Sequence, residues 1–357
     1  MRIAFVSWRD LAHPQAGGSE VVVDRLAAGA SERGHTAALI CGGPVGPRSY
    51  QVHPSGGRYA QYLAAPLVYA RHCRGWDVAV DVSNGVPFFA PAWRRGPVLC
   101  LFHHIHRDQW RQHFGPVAAR AGWFAERAVV PRIYRRSLFL TLSESTSAGL
   151  IDIGVAGERI RRLPVGVDVG PAPGRFGGES SEPLFVALGR LVPHKRVDLL
   201  LRAWDRVRGQ TGGRFVVVGD GPDRQRLERS LPAGAELLGH VTDEEKARLL
   251  DRAWLLVHGA MHEGWGMVAT EAAAAGTAVV AFDVAGVREA VADGRTGVLV
   301  ETEDQLVDTW VALARDPVRR HALGSAGHEH ASTLRWDRTV DRFLEVCAEV
   351  AWPLGTR

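Results

Sequence analysis

Two glutamates, Glu263 and Glu271, bracket the stretch Gly264-Trp265-Gly266-Met267-Val268-Ala269-Thr270. The apolar run Trp254–Val257 lies ahead of them, and the alanine run Ala272–Ala275 leads to Gly276, a natural helix stop. A strand, a glycine-bearing loop and a helix in that order leave unpaired backbone N–H groups at the positive end of the helix dipole. That arrangement suits phosphate. Glu263 falls just ahead of the helix and Glu271 in its first turns, where both can accept hydrogen bonds from hydroxyls. A phosphate cradle flanked by two hydroxyl-reading carboxylates suggests a nucleotide-sugar site. The competing reading is a pair of solvated helix-end carboxylates; the glycines, the strand and the alanine helix favour the site.

Three other groups bear on the chemistry. Gly189-Arg190-Leu191-Val192-Pro193-His194-Lys195-Arg196 follows an apolar strand, and Arg190 and Lys195 can neutralise a diphosphate, one as a fork and one as a point charge. Lys195 and Lys246 are the only lysines in the chain, so Lys195 departs from the arginine used almost everywhere else. Gly17-Gly18-Ser19-Glu20 forms a first strand-to-helix turn where a ligand can approach the backbone, with Ser19 as a plausible N-cap. Taken alone, an ordinary flexible turn is the better reading of that pair, which lacks the G-x-G-x-x-G spacing of a dinucleotide site. Phe102-His103-His104-Ile105-His106 ends another apolar strand. Its histidines lack the helical i, i+4 zinc spacing, so a metal-free cluster is favoured and a polar contact to a reacting sugar is reasonable.

The elements that must position these groups alternate between strand and helix. Strands are expected near Ile3–Ser7, Thr36–Cys41, Val78–Asp81, Val98–Phe102 and Leu138–Leu142, with helices over Glu20–Arg33 and roughly Val117–Arg136. A second series runs from Leu184–Leu188 through Phe215–Val218, Glu236–Leu238, Leu255–Val257, Ala278–Phe282 and Val298–Val300. Its helices fit Asp198–Val207, Arg224–Ser230, Asp243–Asp251, Met267–Ala275 and Val287–Val291. Short apolar strands alternating with amphipathic helices predict two doubly wound parallel sheets. A Gly-, Pro- and Ser-rich stretch places the linker at about 166–182. The domains are therefore expected over 1–168 and 182–335, facing each other across a cleft bordered by strand C-termini, with a further helix over 336–357.

The 357 residues are enough for two cores, and 46% hydrophobic with 23% charged residues are globular values. No apolar run reaches the roughly 18 residues of a membrane span, and no signal-peptide pattern opens the chain. Cys41, Cys73, Cys100 and Cys347 are scattered without zinc spacing, so reduced thiols and a cytoplasmic location are expected. Residues 1–169 hold 20 Arg against 12 acidic residues, a formal +8, leaving −4 for the rest. That asymmetry predicts an anionic partner for the first half. Arg111, Arg120, Arg127, Arg132, Arg135 and Arg136, interleaved with Phe114, Trp123, Phe124 and Tyr134, suit a peripheral contact with the anionic inner face of a membrane. A helix packed on the first sheet with a solvated arginine face is the favoured alternative.

Taken together, these motifs resemble the family 4 retaining glycosyltransferases of GT-B fold over nearly the full chain. The second half carries most of the likeness: Gly189-Arg190-Leu191 with Lys195, Val218-Gly219-Asp220-Gly221-Pro222, Glu263-Gly264-Trp265-Gly266, Glu271-Ala272, Ala275-Gly276-Thr277 and Asp293-Gly294-Arg295-Thr296-Gly297. In the first half it rests on Gly17-Gly18-Ser19-Glu20, Arg33-Gly34-His35 and His103. The resemblance implies that Arg190 and Lys195 bind the donor diphosphate, Glu263 the sugar hydroxyls and Glu271 the ribose. Backbone around Gly264, Trp265, Gly266, Met267 and Val268 would hold sugar and phosphate. Gly17 and Gly18 would lie under the diphosphate, and Gly239, His240 and Val241 by the nucleobase. His103 best matches the family's cleft histidine, with His104 as the adjacent candidate. The family's last helix crosses back onto the first domain, which would place Trp336–Trp352 there.

Two positions depart from the family pattern: Ala260 stands where Ser is common, and Val165 where Asn often begins the linker. The implied reaction moves a hexose from a nucleoside-diphosphate sugar, UDP favoured and GDP next, to an unknown hydroxyl acceptor on a glycan, lipid-linked molecule or small natural product. It retains anomeric configuration by front-face attack, needs no metal or other cofactor, and is completed by domain closure. No nucleic-acid partner is expected. The competing functions are a same-fold epimerase or phosphorylase and a non-catalytic nucleotide-sugar sensor. A dinucleotide oxidoreductase is disfavoured by the missing fingerprint glycines.

Overall fold

The computed structural model describes residues 1–352 apart from 58, 108, 109, 111–113, 170–172 and 176. Arg111 of the basic stretch, 170–172 and 176 of the expected linker, and 353–357 of the expected last segment lie outside the described residues. The chain forms two units. One comprises Met1–Val165 and the segment beginning at Trp336; the other is Gly166–Arg335.

The N-terminal unit is built on β1 (Arg2–Arg9), β2 (Thr36–Gly42), β3 (Gln51–Pro54), β4 (Val78–Ser83), β5 (Val98–Phe102), β6 (Leu138–Thr141) and β7 (Ile160–Arg162). Their order is β3-β2-β1-β4-β5-β6-β7, with every neighbour parallel. Ile3, Ala4, Phe5 and Val6 are wholly buried. Central strands covered on both faces read as continuous apolar runs rather than alternating ones, which makes them visible in the sequence. The strand order reverses between β1 and β4, and ligands of open α/β sheets bind outside the strand C-termini at such a point.

The first helix spans Gly18–Glu32, and Ser19 is not its cap. Gly17 is the extended capping residue, and its N–H donates to Oε2 of Glu20, in the first turn, at 2.7 Å. The Ser19 hydroxyl instead accepts from Asn84 Nδ2 at 2.9 Å. The single helix expected near 117–136 is three pieces: Pro116–Phe124, a π-helical turn over Ala125–Val129, and Val130–Ile133. The π turn carries Glu126 inward, where it accepts from the His106 N–H at 2.9 Å and Trp110 Nε1 at 3.1 Å. Ala119, Val130 and Tyr134 pack inward as expected of a sheet-covering helix. The outer side is not simply a solvated arginine face, because Val117 (82%) and Phe124 (65%) are exposed there beside Arg120 and Arg127.

The helix Trp336–Ala351 packs on Gly18–Glu32 within the same unit. Phe343 stacks on Phe5 at 5.5 Å, Thr339 Oγ1 donates to the Pro164 carbonyl at 2.9 Å, and Arg33 pairs with Asp341 at 2.6 Å. Gly29 allows the close approach: a Cβ there would lie 2.5 Å from Val340 Cγ2.

The second unit has β8 (Leu184–Leu188), β9 (Arg214–Val218), β10 (Ala235–Gly239), β11 (Leu255–His258), β12 (Ala278–Phe282) and β13 (Gly297–Val300). They are ordered β10-β9-β8-β11-β12-β13, again all parallel, and the order reverses between β8 and β11. The helix Val197–Thr211 buries Leu200, Ala203, Trp204 and Val207, one helical face. Trp204 meets Phe185, Phe215 and Trp310 with ring centroids 5.7–5.9 Å apart. Each such fully buried aromatic contributes roughly 2–3 kcal/mol of apolar burial. The described part of 177–182 packs on this unit: Ser180 N–H donates to the Arg252 carbonyl at 3.0 Å, Trp254 Nε1 to the Ser180 carbonyl at 2.7 Å, and buried Arg320 grips Glu179 at 2.6 and 2.8 Å. No helix among the described residues is long and apolar enough to cross a membrane.

Candidate active site

The switch point of the second unit lies between the loops that leave β8 and β11, and Arg190, Lys195 and Glu263 are on those loops. Gly189, Arg190, Lys195, His258 and Gly259 line a small cleft there. The loops are joined by a backbone bond, Met261 N–H donating to the His194 carbonyl at 2.9 Å, and by the Arg196 side chain, whose Nε donates to the Gly259 carbonyl at 2.6 Å. Gly259 is required because a Cβ would lie 2.9 Å from the Lys195 carbonyl oxygen. Arg196 is held with φ at +49° and its guanidinium 3.9 Å from the centroid of Phe282. It braces the loop, leaving Arg190 and Lys195 as the cations of the cleft.

Lys195 Nζ bonds Oε1 of Glu263, and His258 Nε2 lies 3.1 Å from the same oxygen, without the alignment of a full hydrogen bond. Burial by itself raises the Glu263 carboxyl pKa; the Lys195 ammonium and His258 outweigh it and hold the group well below the usual carboxylate range. Burial lowers the His258 pKa, with Glu263 opposing, so the ring is neutral near pH 7. Glu263 is thus an ionised, fixed acceptor whose Oε2 has no partner among the described residues. The half-buried Arg190 guanidinium likewise has no hydrogen-bond or ion-pair partner among the described residues.

The loop then runs through Gly264 and Trp265 to Gly266, at φ +92°, which starts the helix Met267–Ala274 with no side-chain cap. The N–H groups of Met267 and Val268 have no carbonyl partner among the described residues, whereas those of Ala269 and Thr270 bond back to Gly266. The Trp265 ring is directed inward: it is 8% exposed and its indole donates to Thr270 Oγ1 at 3.2 Å. Only its backbone remains available to a ligand. Glu271 does not join Glu263 and Lys195; its partner is Lys246, at 3.1 Å. Gly239, at φ +77°, ends β10 and accepts from the Gly219 N–H at 2.8 Å; His240 beside it is exposed, and Val241 packs against the sheet.

In the N-terminal unit, Gly17, Gly18 and Ser19 lie at the switch point, tied through Asn84 to the end of β4. His103 follows β5, with its N–H donating to the Ser83 carbonyl at 3.1 Å and its carbonyl accepting from Thr146 Oγ1 at 3.1 Å. It is 4% exposed, and its Nε2 has no hydrogen-bond partner among the described residues. Burial, and then His104 and His106, lower its pKa to about 3. His104 is half-buried, its ring 3.9 Å from that of His106.

Sequence reasoning misses His258, Asn84 and the pairing of Lys246. His258 reads as the end of an apolar strand; the usable signal is a polar residue at a strand C-terminus, five positions before a motif glutamate.

Comparison with known proteins agrees with this architecture. Residues 16–170 match the family described as Glycosyltransferase Family 4, and residues 175–330 match Glycosyl transferases group 1. The chain belongs to the family 4 glycosyltransferases and has two Rossmann-like units of the GT-B type. It is 34% identical over 210 residues to the D-inositol 3-phosphate glycosyltransferase of Segniliparus rotundus, covering 52% of this chain and 46% of that one. It is 34% identical over 223 residues to the GDP-mannose-dependent alpha-mannosyltransferase of Mycobacterium tuberculosis, covering 59% and 56%. The chain spans about half the length of the curated relatives it matches. Among solved structures, sucrose-phosphate synthase from Thermosynechococcus elongatus superposes with a TM-score of 0.83 at 20% identity, covering 97% of this chain and 98% of that one. Anabaena HepE, solved with UDP and glucose, gives 0.76 at 18%, covering 98% and 100%. At these identities the structures speak for the fold.

Proposed function

We propose that this protein transfers a hexose from a nucleoside-diphosphate sugar to a hydroxyl acceptor. The observation that carries the reading is the convergence of Lys195 and His258 on one oxygen of Glu263, beside an uncapped helix N-terminus and an unpartnered Arg190. Glu263 offers its other oxygen to sugar hydroxyls. Arg190, Lys195 and the N–H groups of Met267 and Val268 meet the charge that grows on the departing diphosphate, which is where fixed donors accelerate reaction most. That donor set supplies the role a divalent cation would otherwise fill, so the reading is metal-independent and needs no cofactor beyond the co-substrate. Glu263 is engaged by its own cation and is not presented as a nucleophile, which favours front-face attack and retention. Glu271 meets the ribose and Gly239, His240 and Val241 the base. In the N-terminal unit, Gly17 and Gly18 are the candidates for the diphosphate, and His103, with His104 next to it, for the reacting sugar.

UDP-sugars are the favoured donors and GDP-sugars the next; Anabaena HepE was solved with UDP and glucose, and a mannosyltransferase relative is named for GDP-mannose. The decisive measurement incubates the purified chain with UDP-, GDP- and ADP-sugars, first by thermal shift and then with acceptor alcohols. Transfer to acceptor with the anomeric configuration kept, read by NMR, is expected. Consumption of donor without acceptor would assign an epimerase, and binding without consumption a sensor.

The exposed Val117 and Phe124 beside exposed arginines favour a second element: peripheral contact of the N-terminal unit with an anionic membrane surface, the protein being otherwise cytoplasmic.

A further inference from the structure

Of the 43 Lys and Arg residues in this chain, only Lys195 and Lys246 are lysine. Each is paired with one of the two motif glutamates, Lys195 with Glu263 and Lys246 with Glu271. Elsewhere arginine takes this part, as Arg33 does with Asp341, Arg206 with Asp304 and Arg320 with Glu179. A lysine ammonium is a compact charge with three donors and can serve several acceptors converging on one point, where a planar guanidinium would need more room.

Lys246 lies on the helix Asp243–Arg252, which follows directly from the Gly239-His240-Val241 turn at the end of β10. Its Nζ is 3.1 Å from Glu271 Oε1 and 3.2 Å from Asp243 Oδ1. Glu271 comes from a different segment, the helix Met267–Ala274 that begins at the uncapped phosphate cradle. The contact therefore ties the expected base-side turn to the cradle helix. Neither side chain is sealed off: Lys246 is 31% and Glu271 25% exposed. Glu271 Oε2 has no partner among the described residues, so one oxygen is held and the other is open. Burial, joined by Asp243 and Asp168, pushes the Glu271 carboxyl pKa up, and Lys246 is the cation that opposes this. Without it, Glu271 would face the charges of Asp243 and Asp168 unopposed by that ammonium.

We propose that Lys246 is a positioning residue for nucleotide recognition: it orients Glu271 as the acceptor for the ribose hydroxyls, and so sets the preference for ribonucleotides over 2′-deoxyribonucleotides. This rests on the reading that Glu271 meets the ribose. Lys246 acts through Glu271 and is distinct from Arg190 and Lys195, which face the diphosphate.

The test is calorimetric titration of the full chain with UDP and GDP, each against its 2′-deoxy form. The wild-type chain is expected to favour the ribonucleotide by about tenfold or more, the effect of a hydrogen bond to a charged group. Lys246→Met should reduce that ratio to about twofold or less, by the loss of that same bond, with Lys246→Arg restoring most of it and Glu271→Gln abolishing it. A merely structural role for Lys246 would lower affinity for both forms alike and leave the ratio intact. If Glu271→Gln collapses the ratio and Lys246→Met does not, the proposal is overturned while the ribose reading stands. If Glu271→Gln leaves the ratio unchanged, or the wild-type chain shows none, the ribose reading itself fails.

Discussion

His258 Nε2 lies 3.1 Å from Glu263 Oε1, the oxygen that Lys195 also holds. One carboxylate oxygen is thus held by the Lys195 ammonium, from the loop after β8, with the His258 ring at the end of β11 beside it, and the second is left for a ligand. Ala260 offers Glu263 no side-chain donor, and His258, two residues earlier, supplies a polar neighbour to that glutamate.

Removing that neighbour should weaken sugar reading without removing the diphosphate contacts. His258→Leu is expected to lower kcat/KM about tenfold, the lower end of what a polar contact to a charged group contributes, because the ring lies close to Glu263 without full hydrogen-bond alignment. His258→Gln, which can still donate, should lose much less. Glu263→Ala and Lys195→Ala should each lose most activity while keeping a wild-type far-UV circular dichroism spectrum. Near-normal turnover in both purified variants would sink the assignment of the site.

His103 gives a pH prediction with a definite sign. Its folded-state pKa is lowered to about 3, while the unfolded chain binds the proton at an ordinary value near 6.5. The unfolded state therefore takes up a proton that the folded state refuses. The stability from a neutral buried ring is fully present above about pH 6.5 and is lost as pH falls toward 3. Between about pH 8 and pH 5 the wild-type chain should lose about 2 kcal/mol more than His103→Asn, measured by urea unfolding. Equal losses in the two chains would show that His103 is not held neutral.

The contact between Gly29 and Val340 predicts a compensating pair. A Cβ at Gly29 meets Val340 Cγ2 at 2.5 Å, inside any tolerable separation. Gly29→Ala should destabilise the N-terminal unit by about 1–3 kcal/mol through overpacking of the last helix. Val340→Ala in the same chain should recover much of that, giving a favourable coupling energy in a double-mutant cycle. Additive effects would mean the helix had shifted elsewhere instead.

What the sequence shows and hides here follows from burial. The strands β1, β5, β8 and β12 read clearly because both faces are covered and the apolar run is unbroken. The edge strands β3, Gln51-Val52-His53-Pro54, and β7, Ile160-Arg161-Arg162, are part-exposed and polar, and carry no such signal. The helix Ala60–His72 contains Pro66 and leaves Leu63 and Leu67 exposed, so its pattern does not announce a buried face. Arg190, Lys195 and Glu263 are legible as chemistry on loops and Glu271 on the helix that follows, but their pairing is not, because periodicity places a residue on an element and does not say which element comes beside it. Ser19 reads as a cap in the sequence, yet Glu20, one residue on, does the capping from inside the helix.

The outer face of the 116–136 region yields the last prediction. Val117 and Phe124, seven residues apart on the helix Pro116–Phe124, are 82% and 65% exposed, and Phe114, just ahead of that helix, is 40% exposed. Arg120, Arg127, Arg132, Arg135 and Arg136 are exposed in the same region. Apolar side chains this exposed gain by entering an interface, and each arginine near an anionic surface adds roughly 1 kcal/mol. Wild-type protein should therefore sediment with phosphatidylglycerol-rich vesicles at low salt and much less with phosphatidylcholine vesicles. The double variant Val117→Asp, Phe124→Asp should lose sedimentation while its unfolding free energy in urea stays within about 0.5 kcal/mol of wild type, because neither side chain is part of the core. Equal binding to both vesicle types, or unchanged binding by the variant, would remove this face from consideration as a membrane contact.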